Sequence, residues 1–181
     1  MATLGSGSPQ RLAEFVREHL NTLPVAQLLA RSLNAEVGPV SPHPRTLDES
    51  LWFALTGASP IPPAPPSTTP KPLTGPGPTG TIEVWTETEL ACVHAAWSLG
   101  SDWRAAANAS ALWLVEHIQP DNATNHPWAV HVFAALGAET NNPELELYAQ
   151  TLLHNCIVGS GKPDPYSALI LLHASRAIQT G

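Results

Sequence analysis

Apolar residues recur every three or four positions through most of residues 85–181, and no stretch there alternates strictly between apolar and polar side chains. The first pattern is typical of an amphipathic helix, whereas strict alternation would indicate a half-buried strand. The periodicity predicts helices near residues 87–99, 102–118, 127–136, 143–157 and 165–178. The predicted fold class is therefore all-α.

Residues that start and end helices agree with these positions. Thr86 and Glu89 have the spacing of a capping box, in which both side chains satisfy N–H groups in the first turn of a helix. Gly100 and Gly137 suit the left-handed conformation that ends a helix. Asn-Pro at 142–143 and Asp-Pro at 164–165 each place a capping residue before a proline at the first helical position. These signals predict helices joined by short turns.

The C-terminal half also repeats itself. Residues 92–100 align with 129–137 at an offset of 37, and residues 126–129 align with 164–167 at an offset of 38. In the first alignment Val93, His94, Leu99 and Gly100 recur as Val130, His131, Leu136 and Gly137. Periods in this range indicate stacked helical hairpins. We expect antiparallel hairpins of about 37–38 residues, incomplete as a closed array.

The N-terminal part divides into two regions. Residues 1–56 predict a short helical segment, with helices starting at Pro9 and Pro24 and a third near residues 47–55. Residues 57–84 form a Pro/Gly-rich linker, because nine of the nineteen prolines fall in 57–80 and favour polyproline II. The helical-hairpin repeat domain then covers residues 85–181. Whether the N-terminal helices pack on that domain or on another chain is left open.

The segment from Trp113 to Trp128 resembles a repeat of the prenyltransferase and squalene-cyclase type. Such repeats end one helix with a hydrophobic pair and Gln, make an Asp-Gly-type turn with an aromatic residue, and begin the next helix. The residues that fill these roles are Leu114, Gln119, Asp121 and Trp128. The resemblance covers about residues 86–178 and implies an α/α-toroid-like arrangement.

The chain departs from that family where its chemistry resides. Asn122 stands at the usual glycine of the turn, and the Asp-x-Asp-Asp cluster of the cyclases is missing. The Asp-x-Cys pair and His that hold zinc in protein prenyltransferases are missing as well. The resemblance therefore implies a fold but no particular reaction.

Charge narrows the classes of partner. The formal net charge is −7, and residues 85–181 hold three Lys and Arg residues against nine acidic ones. Nucleic acids and anionic membrane surfaces need clustered Lys and Arg, so neither is expected as a partner. The first twenty residues lack the pattern of a signal peptide, and no apolar run is long enough to span a membrane. We expect a cytoplasmic protein.

Two loops of the repeat, 119–127 and 158–166, are equivalent and should emerge at the same end of the stack. Carboxylates and an imidazole that converge there would suit general acid and base catalysis. The candidates for catalysis are Glu116, Asp121, His126 and Asp164. The candidates for ligand binding are Asn122, Asn125, Trp128, His131 and Tyr166. Alternatively, the loop Asp and Asn residues only cap helices and close turns.

Metal binding is not predicted, although eight histidines are present. The chain contains neither a His-x-x-x-His nor a Cys-x-x-Cys spacing, and no cofactor is expected. His94 and His131 occupy equivalent helix positions and should bond backbone or side-chain acceptors inside the stack. The five tryptophans at 85, 97, 103, 113 and 128 are expected to fill the core, or else to line an aromatic binding face.

These observations lead to two hypotheses. The first is a non-catalytic helical-repeat protein that acts in binding or assembly, with a protein partner or with itself, because a low charge density suits a covered surface. The second is a small α/α-toroid-like enzyme, or its remnant, that acts on a carbohydrate or isoprenoid with acid and base residues in 116–131.

Overall fold

The computed structural model describes residues 9–20, 24–38, 44–66, 69–75, 81–120 and 124–180. This part of the chain is built from helices and contains no strand, which confirms the all-α fold class. The eight helices are α1 (Pro9–His19), α2 (Pro24–Ser32), α3 (Leu47–Leu55), α4 (Ile82–Leu99), α5 (Ser101–His117), α6 (Val130–Thr140), α7 (Pro143–Val158) and α8 (Pro165–Thr180).

Consecutive helices pack as hairpins in the C-terminal half. The α4–α5 hairpin turns at Gly100, where φ is +74°, a value that glycine adopts without strain. The α6–α7 hairpin turns at Asn141, which is left-handed with φ 51° and ψ 39°. Asn142 then caps α7, because its side chain accepts a hydrogen bond from the Glu144 N–H. The two turns bring each pair of helices together along their length.

The start of α4 differs from the prediction. Thr86 and Glu89 do not form a capping box, because the helix begins one turn earlier at Ile82. Thr81 is the N-cap, and its hydroxyl accepts from the Val84 N–H at 3.5 Å. Thr86 lies inside the helix and donates to the Ile82 carbonyl at 2.7 Å. Glu89 is fully buried and faces neighbouring segments instead.

Gly137 also has a different role from the predicted one. It lies within α6, which continues to Thr140 and ends at the left-handed Asn141. A Cβ atom at Gly137 would lie 2.9 Å from Cγ of Glu146 and 3.1 Å from its backbone nitrogen. The glycine is therefore required by the close approach of α7 and not by a helix end.

The N-terminal helices pack on the hairpins of the same chain. Helix α3 lies against α4, and α2 contacts α8. Trp52 is fully buried by these contacts. One guanidinium nitrogen of Arg176 in α8 donates to the Leu33 carbonyl, just after α2, at 3.1 Å. The packing in cis removes the need for another chain to cover these helices.

The described part of the proline-rich segment lies against the hairpin domain. The indole N–H of Trp103 donates to the Pro62 carbonyl at 2.8 Å, and Ala64 and Leu73 pack on the core. Polyproline backbone leaves its carbonyls unused, so a nearby donor can hold it without a sheet or a helix. This segment therefore follows the surface of the hairpins at the described residues.

A second anchor of this segment is the Glu89 clamp, formed by Glu89 with Leu73, Thr74 and Ser110. The buried carboxylate accepts hydrogen bonds from the backbone N–H groups of Leu73 and Thr74 and from the Thr74 hydroxyl. Ser110 of α5 adds a fourth, at 2.6 Å. A buried carboxylate with four donors is fully satisfied and needs no further ligand.

Tryptophans form much of the core, as predicted. Four of the five in the hairpin domain are buried, and Trp113 is partly buried. Trp52 of α3 joins them. The aromatic residues therefore act mainly as core in this fold. None of the described helices combines the length and the apolar character needed to cross a membrane.

Candidate functional site

Three of the four predicted catalytic residues lie in the described part of the chain, and two of them, His126 and Asp164, are close enough to interact electrostatically. Glu116 is exposed on the last turn of α5 and makes no hydrogen bond or ion pair within the described part of the chain. Asp121 lies outside the described residues. Asp164 caps α8, where it accepts from the N–H groups of Tyr166 and Ser167 at 2.7 and 3.0 Å. Burial opposes ionisation of Asp164, but these hydrogen bonds outweigh it and hold its pKa below the usual value.

His126 forms a close acid–base contact at this end of the stack. Its Nδ1 atom lies 2.6 Å from Oε1 of Glu87 in α4. Burial lowers the pKa of His126, but the Glu87 carboxylate more than offsets this and leaves the pKa raised. The ring of Tyr166 lies 5.0 Å from that of His126 and 5.6 Å from that of Trp128. Glu87 was missed by the sequence analysis because its partner lies 39 positions away.

The predicted ligand-binding residues occupy different environments. Asn122 lies outside the described residues, and Asn125 is exposed. Trp128 and His131 are each 1% exposed, so both belong to the interior. Tyr166 is half-buried beside His126. Among the described candidates for ligand binding, Tyr166 therefore lies beside His126, and Trp128 lies behind it.

A second group of polar residues lies in the centre of the molecule. The histidine centre consists of His94 in α4, His131 in α6 and His173 in α8, all buried. His94 Nε2 lies 2.9 Å from His173 Nδ1, and the rings of His94 and His131 are 4.2 Å apart. Indole rings surround the three imidazoles; they belong to Trp52, Trp97 and Trp128. The two hairpins and α8 thus contribute one imidazole each to a single aromatic interior.

The turn before α6 sets the protonation pattern of this centre. Ala129 is left-handed with φ 56°, and its N–H donates to His94 Nδ1 at 3.2 Å. In a neutral His94 the hydrogen is therefore on Nε2, which donates to His173 Nδ1. The hydrogen of a neutral His173 is then on its Nε2 atom. His173 consequently offers a donor to its remaining surroundings.

Burial lowers the pKa of all three histidines. The pKa of His131 falls to about 3 and that of His173 to about 4, and His94 lies well below its usual value. Charge on a neighbouring histidine acts in the same direction for His94 and His131. All three rings are therefore neutral near pH 7.

The expectation for His94 and His131 holds for only one of them. His94 bonds the Ala129 N–H and His173, but neither ring nitrogen of His131 has a hydrogen-bond partner among the described residues. His131 instead meets the ring of Trp97 nearly at right angles, with centroids 5.0 Å apart. The equivalent positions of the two histidines do not give equivalent partners, because α4 faces both the α6 turn and α8 whereas the His131 ring is enclosed by other rings.

His173 was missed by the sequence analysis. A signal for it exists, because each of the three histidines sits between two apolar residues, in the triplets 93–95, 130–132 and 172–174. The third triplet falls outside the offset of 37 and was therefore not aligned with the others. Despite the short distances, no three His, Cys, Asp or Glu side chains in the described ranges are arranged to hold a metal ion.

A scan of protein-family models and searches of the curated proteins and of the solved structures found no match to this chain. What it does has therefore to be argued from its own residues.

Proposed function

We propose that the chain is a non-catalytic helical-repeat binding protein that associates with a second copy of itself. The contacts of the predicted catalytic residues support a binding role over a catalytic one. Asp164 serves as a helix cap, His126 is paired with Glu87, and Glu116 makes no hydrogen bond or ion pair with either of them. The α/α-toroid-like arrangement of the hairpins is part of this proposal.

The observation that carries the proposal is the outer face of α7. Nine large apolar side chains are exposed in the described part of the chain, and four of them lie on this one helix. Leu147 and Val158 are 62% and 66% exposed, and Leu153 and Ile157 are 40% and 39% exposed. The opposite side of α7 packs on α6. An apolar surface of this kind typically marks an interface.

Charge along α7 favours a second copy as the occupant. Glu144 and Glu146 are exposed in the first turn, and Lys162 is exposed just after the last turn. In a two-fold dimer, antiparallel α7 helices would place the acidic end of each beside Lys162 of the other. Such rim pairs contribute little affinity, but they select the antiparallel direction.

The test measures the mass in solution by light scattering over a range of protein concentrations. We expect a dimer for the full chain and a monomer for the double variant Leu147→Glu/Val158→Glu, because two carboxylates cannot be buried without partners. Val84→Glu is the matched control, since Val84 is 61% exposed on α4 and lies outside the proposed face. It should remain a dimer.

Two results would reject the proposal. One is a monomer mass for the unmodified chain up to about 1 mM protein, a weak limit for a specific contact. The other is equal loss of the dimer in Val84→Glu, which would show a general effect of added charge. A monomer that binds a different protein through α7 would also overturn self-association.

We also propose a cytoplasmic location. Cys92 and Cys156 are both free thiols and both buried, which suits a reducing compartment. Fractionation of cells that produce the chain should recover it together with a cytoplasmic marker protein. Recovery in the secreted fraction or in the membrane fraction would contradict the proposal.

The His126–Glu87 contact favours a second candidate, a small toroid-like enzyme that acts on a carbohydrate or an isoprenoid. A carboxylate 2.6 Å from an imidazole with a raised pKa is suited to general acid catalysis, and Tyr166 and Trp128 supply rings nearby. Turnover of an aryl glycoside or a prenyl diphosphate that is lost in His126→Ala and kept in His117→Ala would support it. Absence of turnover with both substrate classes would count against it.

A further inference from the structure

A cavity of about 450 Å³ opens between the end of α2, the α4–α5 turn and α8. It lies on a different part of the molecule from the outer face of α7. Its volume falls within the range of small-molecule sites. The polar side chains that matter on its wall are those of Asn34, Arg104, His173 and Arg176.

The charge of this cavity is opposite to that of the chain. The formal net charge is −7, and residues 85–181 hold only three Lys and Arg residues. Two of those three, Arg104 and Arg176, line this one cavity. None of the described residues on its wall carries a carboxylate. Two guanidinium groups on one wall give the cavity a positive character that favours an anion.

Arg104 has hydrogen-bonding capacity left over. Its guanidinium carbon lies 4.1 Å from the centroid of the Trp97 ring, which holds the side chain in place by a cation–π contact. Its Nε atom is buried and has no hydrogen-bond partner. No carboxylate of the described residues lies within 4 Å of it, and it forms none of the ion pairs found there. Its two terminal nitrogens are not buried in this way and have no hydrogen-bond partner among the described residues, so a ligand in the cavity can bond them.

Arg176 and His173 are donors as well. Arg176 is held at the wall by its bond to the Leu33 carbonyl. The hydrogen-bond chain from Ala129 through His94 leaves His173 with a hydrogen on Nε2, so its free nitrogen donates and does not accept. The wall therefore combines two cations and a neutral N–H donor.

From this juxtaposition we propose that the cavity binds a small anion of the carboxylate or phosphate class through Arg104, Arg176 and His173. Guanidinium groups bind both kinds of oxyanion in a two-pronged manner, which a lysine at the same place does not reproduce. The Trp97 ring, which Arg104 already covers, keeps the guanidinium plane fixed before the ligand enters. This site does not depend on the α7 interface, because no α7 residue lines the cavity.

The test is isothermal titration of the full chain with inorganic phosphate and, separately, with succinate, against chloride at equal ionic strength. We expect saturable binding of one probe to the unmodified chain. Arg104→Met and Arg176→Met should each weaken it at least about 10-fold, because each removes a charge-assisted pair. Arg104→Lys should weaken it less, since the charge remains and only the fork is lost. Arg11→Met is the control, an exposed arginine of α1 that does not line the cavity.

The outcomes are distinguishable. Stronger binding of phosphate or of succinate assigns the ligand class. No saturable binding of either probe, or an equal loss in Arg11→Met, would overturn the proposal. Thermal unfolding of each variant separates a lost contact from a lost fold. If Arg104→Met does not fold, Arg104→Lys and Arg176→Met still decide the question.

Discussion

The Glu89 clamp and the histidine centre both place polar side chains in the core, but they differ in how well these groups are satisfied. Glu89 accepts four hydrogen bonds, three from residues 73–74 and one from α5. In the histidine centre His94 and His173 share one bond, and His131 has none. The clamp surrounds the Glu89 side chain with donors, whereas burial keeps the three imidazoles of the histidine centre neutral near pH 7.

The difference shows why burial by itself does not identify a functional residue. A buried carboxylate is a common sign of catalysis. Here the bound donors account for Glu89 completely, and its role is to hold residues 73–74 against α4 and α5. The neutral imidazoles leave some hydrogen-bonding groups unused, and one of these imidazoles, that of His173, lies at the wall of the cavity. The histidine centre, whose polar groups are incompletely hydrogen-bonded, is therefore the region with groups available to bind a ligand.

The largest effect is expected at the aromatic wall of the histidine centre. Trp128→Ala should lower the free energy of unfolding by about 3–5 kcal/mol, because the ring is fully buried and its loss leaves a cavity. Urea unfolding of this variant and of Trp128→Phe measures the effect, and the phenyl variant should lose less. Unchanged stability together with lost ligand binding would show that Trp128 is a binding residue and not core.

Glu89→Gln should cost about 2–4 kcal/mol. Each carboxylate oxygen of Glu89 accepts a hydrogen bond from one backbone N–H, that of Leu73 or that of Thr74. In either orientation of a Gln side chain its NH2 group would face one of these N–H groups, and two donors cannot bond each other. Glu87→Gln is the matched control two positions away, and it should cost less than about 1 kcal/mol because Glu87 is partly exposed. Equal losses in the two variants would remove the distinction between the clamp and an ordinary surface carboxylate.

The smallest effect at neutral pH is expected for His131→Leu, which removes a ring without hydrogen bonds and should change stability by less than about 1 kcal/mol. Its effect appears in acid. The folded pKa of about 3 lies below the unfolded value, so only the unfolded chain binds a proton between about pH 6.5 and 4, and stability falls as the pH falls through that window.

As the pH falls, the free energy of unfolding of His131→Leu should therefore decrease less steeply than that of the unmodified chain. The two slopes should differ by up to about 1.4 kcal/mol per pH unit. Urea unfolding at pH 7, 6 and 5 measures the two slopes. Equal slopes would mean that His131 is protonated in the folded protein, or hydrated there, and the contrast with Glu89 would disappear.

Much of the fold was predictable because helix periodicity and turn residues act locally. The helices after Pro9, Pro24, Pro143 and Pro165 begin where a proline predicts them. The errors at Thr86 and Gly137 have a different origin. Both signals are real helix-end patterns, but Thr86 is used one turn inside α4 and Gly137 makes room for α7.

The candidate site was less predictable. Equivalence of loops grouped Glu116 with His126 and Asp164, yet the partner of His126 is Glu87, on a helix 39 positions earlier. The cavity arginines gave no signal, because Arg104 and Arg176 lie 72 positions apart in unrelated parts of the repeat. Which side chains meet across two helices depends on the angle at which the helices cross, and the spacing of apolar residues along the sequence does not specify that angle.

By itself the sequence determined the all-α class, the sites of most helix starts and the tryptophan-rich core, because propensity, capping and apolar spacing are short-range properties. Only the tertiary structure decided which polar groups are satisfied. It enclosed Glu89 among four donors, brought His173 to the other two histidines, and set two arginines on one cavity. These outcomes depend on contacts between residues far apart in the chain, where small differences in packing select one partner over another.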